Sequence, residues 1–227
     1  MLILMVAATS GEVAPVAGMF GETIRPGARL SQCIFAGHDV HVLITGVGMV
    51  ATAAWCSRAL TEQSYDLALN VGVCGSFDRA LEPGHVVHTV SDRIVELGAE
   101  DDERFLSIEE LNLPDVDVAA PYARAEVVNL SPPPNAVLLE LRRVSGVTVN
   151  TVHGNERSIA QVVQRFKPQV ETMEGAAFMY ACLIHAVPFA QVRAVSNFVE
   201  RRNRDRWRVS EAVGSLGAAT ARILEAV

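Results

Sequence analysis

The sequence of 227 residues is poor in cysteine, in aromatic side chains and in positive charge. Its four cysteines are scattered without a C-x-x-C pair, which argues against a disulfide framework and predicts reduced, buried thiols. Lysine and arginine number 19 against 26 acidic residues, so the net charge is −7. Because a phosphate backbone attracts a basic surface, this balance argues against nucleic acid as a partner.

Metal-ligand clusters and membrane-length apolar runs are also missing. His85 and His88 have no acid or thiol at ligand spacing, so we predict neither a metal nor another cofactor. The apolar start, Met1–Ala8, is short and lacks a basic n-region, which favours a buried first strand over a signal peptide. We therefore expect a cytoplasmic protein without a membrane partner.

Apolar residues are what the chain has in excess, since half of it is hydrophobic, as expected for a sheet covered by helices on both faces. A length of 227 residues suits one α/β domain. The proline-rich segment Asn129–Asn135 is the plainest break in the chain, but neither side of it is complete as a layered unit. We predict a single domain over residues 1–227.

The most informative stretch alternates strand, helix and strand. Gln169–Met173 is typical of a short strand, and Glu174–Ile184 is too long for a strand and apolar on every side, as a buried helix is. Pro188 follows, and Phe189–Ser196 predicts a second strand that ends at Asn197.

Such a crossover is nearly always right-handed and makes its two strands parallel, so both open on one edge of the sheet. Met173, Glu174 and Asn197 would then share that edge. If the strands are neighbours, about 4.8 Å apart, a carboxylate and an amide converge where open α/β sheets bind ligands. For Glu174 alone, an acid that complements a helix dipole is the competing interpretation.

A dinucleotide fingerprint is a second possibility, because Gly46-Val47-Gly48 opens a G-x-G-x-x-A pattern with Asp66 some 20 residues on. Asp66 precedes the next predicted strand, Leu67–Val71, whereas a true fingerprint has its acid at the end of that strand. We interpret the glycines as allowing backbone to approach a ligand closely.

Three motifs together resemble the nucleoside phosphorylase and nucleosidase superfamily: Thr172–Ala177, Val187–Phe189 and Val192–Asn197. The tail Ser196–Arg204 is more similar to the futalosine hydrolases than to the methylthioadenosine/adenosylhomocysteine nucleosidases. The resemblance covers most of the chain and is thin over Leu97–Asn135. It implies a three-layer α-β-α sandwich with a central mixed, largely parallel, twisted sheet, a small nucleoside as substrate, and a homo-oligomer.

The resemblance also implies roles for residues that follow strands. Glu12 matches the general base that takes a proton from water, and Arg193 matches a residue that orients this water. Glu174, with Met173 lining the sugar, matches the group that holds the ribose hydroxyls and favours positive charge at C1′. From the residues alone, Glu12 equally suits a helix start. An acid there repels phosphate, which favours water as the nucleophile.

Two further segments are expected beside the base. A second predicted glycine turn, Gly72–Phe77, contributes Gly75, Ser76 and Phe77 as pocket contacts, with ordinary turn and core roles as the alternative. In nucleosidases the backbone after the predicted strand Val147–Val152 binds the purine edge, which by position falls at Val152. His153 flanks it, and a solvated loop histidine is the alternative.

Position 197 decides which base leaves. Adenosine-type nucleosidases have an aspartic acid at the matching place, and its proton goes to N7. The amide of Asn197 cannot be that acid, but it can donate to a 6-carbonyl and accept from a protonated N7, which suits hypoxanthine or guanine. Opposed donors can cost roughly 10⁴ in specificity, so a 6-oxopurine is predicted.

The resemblance then implies hydrolysis of futalosine to hypoxanthine and dehypoxanthine futalosine in menaquinone biosynthesis. Futalosine carries a benzoate on its 5′ arm, and the arginine run that follows Asn197 offers a counter-charge, predicted here at Arg202. Such a run is otherwise a solvated, salt-bridged face. A methylthioadenosine nucleosidase, a 6-oxopurine nucleoside phosphorylase and a non-catalytic nucleoside sensor stay open as alternatives.

Overall fold

The structure is a computed structural model that describes residues 1–22, 24, 27–112 and 125–227. Its strands are β1 (Leu2–Ala7), β2 (Leu30–Phe35), β3 (His38–Ile44), β4 (Leu67–Ser76), β5 (Val86–Ile94), β6 (Gly98–Asp101), β7 (Arg104–Ser107), β8 (Glu126–Val128), β9 (Arg142–Thr148), β10 (Val170–Thr172) and β11 (Phe189–Phe198). Its helices are α1 (Ser10–Met19), α2 (Met49–Glu62), α3 (Ile108–Leu111), α4 (Ala136–Glu140), α5 (Glu156–Phe166), α6 (Gly175–Ile184) and α7 (Val209–Glu225).

The sheet is sandwiched between two helical layers, as predicted. Side chains alternate along β1, so that Ile3 and Met5 pack towards α1, α4 and α7 while Leu4 and Val6 pack towards α2 and α6. Each face therefore carries its own apolar core, and β1 reads as one continuous hydrophobic run because both of its faces are buried.

Nine strands form one mixed sheet in the order β10-β9-β5-β11-β4-β1-β3-β2, with β8 paired to β5. β10 also pairs with β4, so that β4, β11, β5, β9 and β10 close into a ring. Strands β6 and β7 form a separate hairpin.

The expected parallel crossover around α6 is wrong. Strand, helix and strand are all present, but β10 runs antiparallel to β4 while β11 runs parallel to it, so β10 and β11 are not parallel neighbours. The two strands flank the end of β4 instead, where Glu171 and Asn197 both pair with Gly75. The residues around position 174 and position 197 are therefore brought together across β4.

Two strand boundaries also differ from the predictions. β4 continues to Ser76, so the predicted glycine turn is part of a strand. β9 ends at Thr148, which places Val152 in the loop that leads to α5. In β11 the pairing with β4 is irregular between Val195 and Asn197, and Ser196 is the extra residue of this bulge.

All four cysteines are free and buried, as predicted for reduced thiols. Among the residues that the structure describes, no helix is long and apolar enough to cross a membrane. Within the same residues, no group of three or more His, Cys, Asp or Glu side chains is placed to hold a metal ion.

Candidate active site

Glu12 lies where β1 ends, and both of its carboxylate oxygens are occupied. Oε2 accepts hydrogen bonds from the amide and hydroxyl of Thr9, at 2.9 and 3.0 Å, in a capping box at the start of α1. Oε1 accepts from the amide of Val73 at 3.1 Å. Pairing between β1 and β4 stops at Asn70, so the amide of Val73 has no partner on β1. The carboxylate of Glu12 accepts its hydrogen bond instead. Glu12 thus both caps a helix and reaches the site.

Arg193 is the largest fully buried side chain of the described residues. Its Nε donates to Gln191 Oε1 at 3.0 Å, and its Nη2 donates to Asn70 Oδ1. Both partners are neutral amides, so neither offsets the positive charge of the guanidinium, and further N–H donors remain on it. A Cβ on Gly72 would collide with Nη1 of Arg193 and lie 2.8 Å from Oε1 of Glu12, which places both charges against one glycine.

Glu174 precedes α6 and is only 6% exposed. Its Oε1 accepts from the amide of Gly48 at 2.9 Å. Gly48 has φ +101° at the start of α2, a conformation that favours glycine. Glycine at this position therefore lets a backbone amide reach Glu174. Burial raises the pKa of Glu174, while Arg193 and the Gly48 amide act to lower it. The charge of Glu12 also raises it, which shows that the two carboxylates interact.

Asn197 lies at the other end of the site, on a cavity of about 580 Å³. Its Nδ2 donates to the carbonyl of Phe198 at 2.9 Å, and its Oδ1 accepts from Ser196 Oγ at 2.8 Å. The opposite orientation would set two carbonyl oxygens against each other, so the amide has one orientation. One N–H and one lone pair remain for a ligand.

The two ends are joined by β4. Glu12 is bound at Val73 and Asn197 pairs with Gly75, two residues on, which at about 3.3 Å per residue is a separation of about 7 Å between the anchor points. A Cβ on Gly75 would meet Asn197 Nδ2 at 3.4 Å and Val199 at 2.8 Å, so glycine is needed for this approach.

The apolar contacts predicted from the sequence share one cluster. Phe77, Val152 and Met173 are all partly buried and pack against the same core group, Val95, Val147, Val149 and Val162. The structure therefore brings these three segments, which are far apart in sequence, to one wall beside the site.

Ser76 does not join them. Its side chain is 1% exposed, its hydroxyl donates to the carbonyl of Asp78 at 2.9 Å, and it accepts from the Asp78 amide at 3.1 Å. The hydroxyl of Ser76 therefore has the turn role that was the alternative to a pocket contact, and it stabilises the turn that follows β4.

Arg202 lines the 580 Å³ cavity, and its guanidinium stacks on Trp207 at 5.1 Å. Its neighbours in the run behave as a salt-bridged face, since Arg206 and Arg208 pair with acids at 3.3 and 3.2 Å. Arg202 is thus held by an aromatic ring and keeps its donors.

Sequence reasoning missed Glu171. This residue of β10 is 4% exposed, and its carboxylate accepts from the amide of His153 at 3.0 Å and bonds to Nδ1 of the same residue. An acid inside the predicted short strand Gln169–Met173 was the available signal, because a buried carboxylate needs a partner.

Asp92 was missed as well. It is fully buried in β5 and accepts from Thr148 Oγ1 at 2.7 Å and from Gln191 Nε2 at 3.1 Å. Thr148 Oγ1 also accepts from the amide of Ala176 at 2.8 Å, and Gln191 bonds to Arg193. One carboxylate therefore connects the first turn of α6 with the buried arginine.

The chain matches the model of the phosphorylase superfamily over residues 2–227. It is 32% identical to the futalosine hydrolase of Streptomyces coelicolor, covering 98% of this chain and 95% of that one. It is 27% identical to the 5′-methylthioadenosine/S-adenosylhomocysteine nucleosidase of Colwellia psychrerythraea, over 80% of this chain and 76% of that one. The solved structure of futalosine hydrolase from Helicobacter pylori superposes with a TM-score of 0.82 at 15% identity, covering 100% of this chain and 98% of that one, which shows a shared fold.

Proposed function

The chain belongs to the phosphorylase superfamily and, within it, to the futalosine hydrolase family, and we propose that it hydrolyses the N-glycosidic bond of futalosine to release hypoxanthine. The observation that carries the choice of base is the fixed amide of Asn197 at the cavity. Its free N–H matches a 6-carbonyl, and its free lone pair matches a protonated N7.

Cleavage of the bond leaves positive charge on the ribose and an electron pair on the purine, so a catalyst acts on both ends. Glu12 takes a proton from water, and Arg193, whose guanidinium lies with Glu12 against Gly72, orients that water. Glu174 holds the ribose hydroxyls and stabilises the positive charge that develops at C1′, with Met173 beside it. Positioned proton transfer of this kind typically contributes about 10²- to 10⁴-fold.

The 5′ arm is assigned to the arginine side of the cavity. Arg202 keeps its donors while it stacks on Trp207, which suits a planar, carboxylate-bearing aromatic arm. With futalosine as its substrate the reaction would belong to menaquinone biosynthesis, and a homo-oligomer is the expected assembly.

A product assay tests the proposal. The purified protein is incubated separately with futalosine, inosine and methylthioadenosine, with and without phosphate, and the released base is identified by chromatography. We expect hypoxanthine from futalosine at a rate that does not depend on phosphate. Faster release of adenine from methylthioadenosine would contradict the assignment and favour the nucleosidase activity named for the Colwellia relative. A requirement for phosphate would indicate a phosphorylase.

A further inference from the structure

If the function proposed above is correct, the amide at position 197 does not supply the acid that the departing purine needs. The departing purine receives the electron pair of the broken bond and is a better leaving group when a nitrogen is protonated in the same step. The N–H groups of a carboxamide donate hydrogen bonds but do not act as an acid. The acid must be another side chain that lines the same cavity.

His153 lines the 580 Å³ cavity together with Asn197. Its position is determined by Glu171, whose two oxygens accept from the His153 amide at 3.0 Å and from its ring Nδ1. Because an ionised carboxylate only accepts, Nδ1 must carry hydrogen, and Nε2 is the nitrogen left for the cavity. The ring of Phe77 packs edge-on against the imidazole, with centroids 6.4 Å apart.

The partner of the histidine and the amide flank the same residue of β4. Glu171 pairs with Gly75 from one side and Asn197 pairs with the same glycine from the other. With neighbouring strands about 4.8 Å apart, the two backbone positions are at most about 10 Å from each other. His153, which bonds to Glu171, and Asn197 thus line one cavity, where a single purine can contact both.

Glu171 is the charged side chain that pairs with the imidazole. On the 580 Å³ cavity the charged lining residues are four arginines and three acids: Arg79, Arg202, Arg206, Arg208, Glu82, Glu200 and Asp205. A smaller cavity, which His153 also lines, is lined by Glu96, Glu100 and Arg165. Among the described residues Glu171 alone pairs with the ring, it is shielded from water, and the other charges around the ring nearly balance.

We propose that His153, oriented by Glu171, is the acid that protonates the departing hypoxanthine. The proton on Nε2 moves to N7 of the purine, the nitrogen whose protonated form donates to Asn197, as the bond from N9 to C1′ breaks and its electron pair passes to the base. Water forms the new bond to C1′ and gives its proton to Glu12. Proton exchange with solvent then returns the proton from Glu12 and recharges His153, so the cycle needs no other reactant.

The test compares the pH dependence of kcat for futalosine in the wild type and in two variants. The wild type should lose activity on the alkaline side, where the imidazolium is deprotonated. His153→Gln should lower kcat about 10²-fold with KM changed only a few-fold, and should lack that alkaline fall. Glu171→Gln removes the negative partner and should shift the alkaline fall to lower pH. His38→Gln, at the far end of β3, is the matched control and should behave as wild type.

Chemical rescue separates an acid from a structural residue. Imidazole added to His153→Ala should restore part of the rate, with the largest effect below neutral pH where imidazole is protonated. Circular dichroism of each variant checks that it folds. Retention of wild-type kcat and of the alkaline fall by His153→Gln would overturn the proposal.

A failure of the proposed function gives a different result. If the wild type releases no hypoxanthine from futalosine, the function is wrong, and the histidine is then tested by binding. Hypoxanthine added to isotopically labelled protein should shift the imidazole NMR signals of His153, identified by their loss in His153→Gln. Unchanged signals at saturating hypoxanthine would overturn the assignment of His153.

Discussion

The amide of Asn197 has one orientation because the Phe198 carbonyl takes its N–H and Ser196 supplies a hydroxyl to its oxygen. Replacement by Asp puts an oxygen where an N–H was, opposite the Phe198 carbonyl. A protonated acid satisfies that carbonyl, whereas an ionised one is repelled. Under the proposed function, the residue at this position sets both the base that is recognised and the pH at which recognition works.

Asn197→Asp should reverse the substrate preference. We expect kcat/KM to fall for futalosine and to rise for methylthioadenosine, with the ratio changed by at least about 10²-fold, since mismatched polar groups can cost up to roughly 10⁴. The gain for the adenine nucleoside should be larger at acidic pH. Steady-state kinetics on both substrates measures it.

Asn203→Asp is the control for added charge, because Asn203 lines the same cavity and Asp caps the following 3-10 turn equally well. Its substrate ratio should stay at the wild-type value. An unchanged ratio in Asn197→Asp would remove the amide from base recognition.

Several site residues were predictable because they follow strands. Glu12, Glu174 and Asn197 each stand at the end of an apolar segment, and the sequence showed this. Glu171 and Asp92 lie inside strands, and their partners come from segments 18 and at least 56 residues away. Nothing local to either acid identifies such a partner.

At the level of single elements, β4 does the most to arrange the site. It carries Gly72 against the buried arginine, Val73 against Glu12 and Gly75 against Asn197. Its length was underpredicted because glycines usually mark turns, whereas here they are strand residues that leave room for side chains of other elements. β9 was misplaced for a related reason, since its register is set by β5 and β10 and not by its own sequence.

Gly72→Ala should inactivate the protein. The added methyl group collides with the guanidinium of Arg193 and lies 2.8 Å from Oε1 of Glu12, so one of the two must move. We expect kcat to fall at least about 10²-fold, since small displacements of positioned groups are costly, and the free energy of unfolding to fall by about 1–3 kcal/mol. Kinetics and urea denaturation measure the two effects.

Gly214→Ala is the matched control. Gly214 is exposed within α7, and a Cβ there has no atom within 4 Å. Alanine should raise the stability by up to about 1 kcal/mol and leave kcat unchanged. Full activity in Gly72→Ala would show that the Glu12 and Arg193 positions do not matter for the reaction.

For the whole molecule, the closed ring of five strands is the feature that the sequence did not predict. The layers and the mixed sheet follow from apolar periodicity and from the family resemblance. Closure depends on the pairing of β10 with β4, which joins residues 94 or more positions apart in sequence. Asp92 lies inside this ring with Gln191 and Thr148, so its ionisation affects the stability of the whole fold.

Burial raises the pKa of Asp92 to about 6 from the ordinary value of 3.8. Hydrogen bonds from Thr148 and Gln191 and the charge of Arg193 oppose this rise. Between these two values the folded protein holds a proton that the unfolded chain has lost. The carboxyl therefore favours folding most below the unfolded pKa, and this contribution is lost as the pH rises through about 6.

Asp92→Asn cannot titrate, so its stability relative to wild type should improve between about pH 4 and pH 7, by up to about 3 kcal/mol. A constant offset from the changed hydrogen bonds is expected at every pH, and the slope is what the experiment measures. Urea unfolding over this range gives it. Asp102→Asn, on an exposed turn, is the control for the loss of a surface carboxylate. A flat difference for Asp92→Asn would mean that Asp92 titrates alike in both states.

The bulge in β11 means that the position of the Asn197 side chain depends on the number of residues in that strand. With one residue fewer before it, Asn197 would take the place of Ser196, which is 4% exposed and turned towards the carbonyl of Cys74 at 3.2 Å. The amide would then be hidden from any nucleoside although every functional side chain was still encoded. A codon lost from this strand would remove the amide from the cavity as completely as a substitution of the asparagine itself.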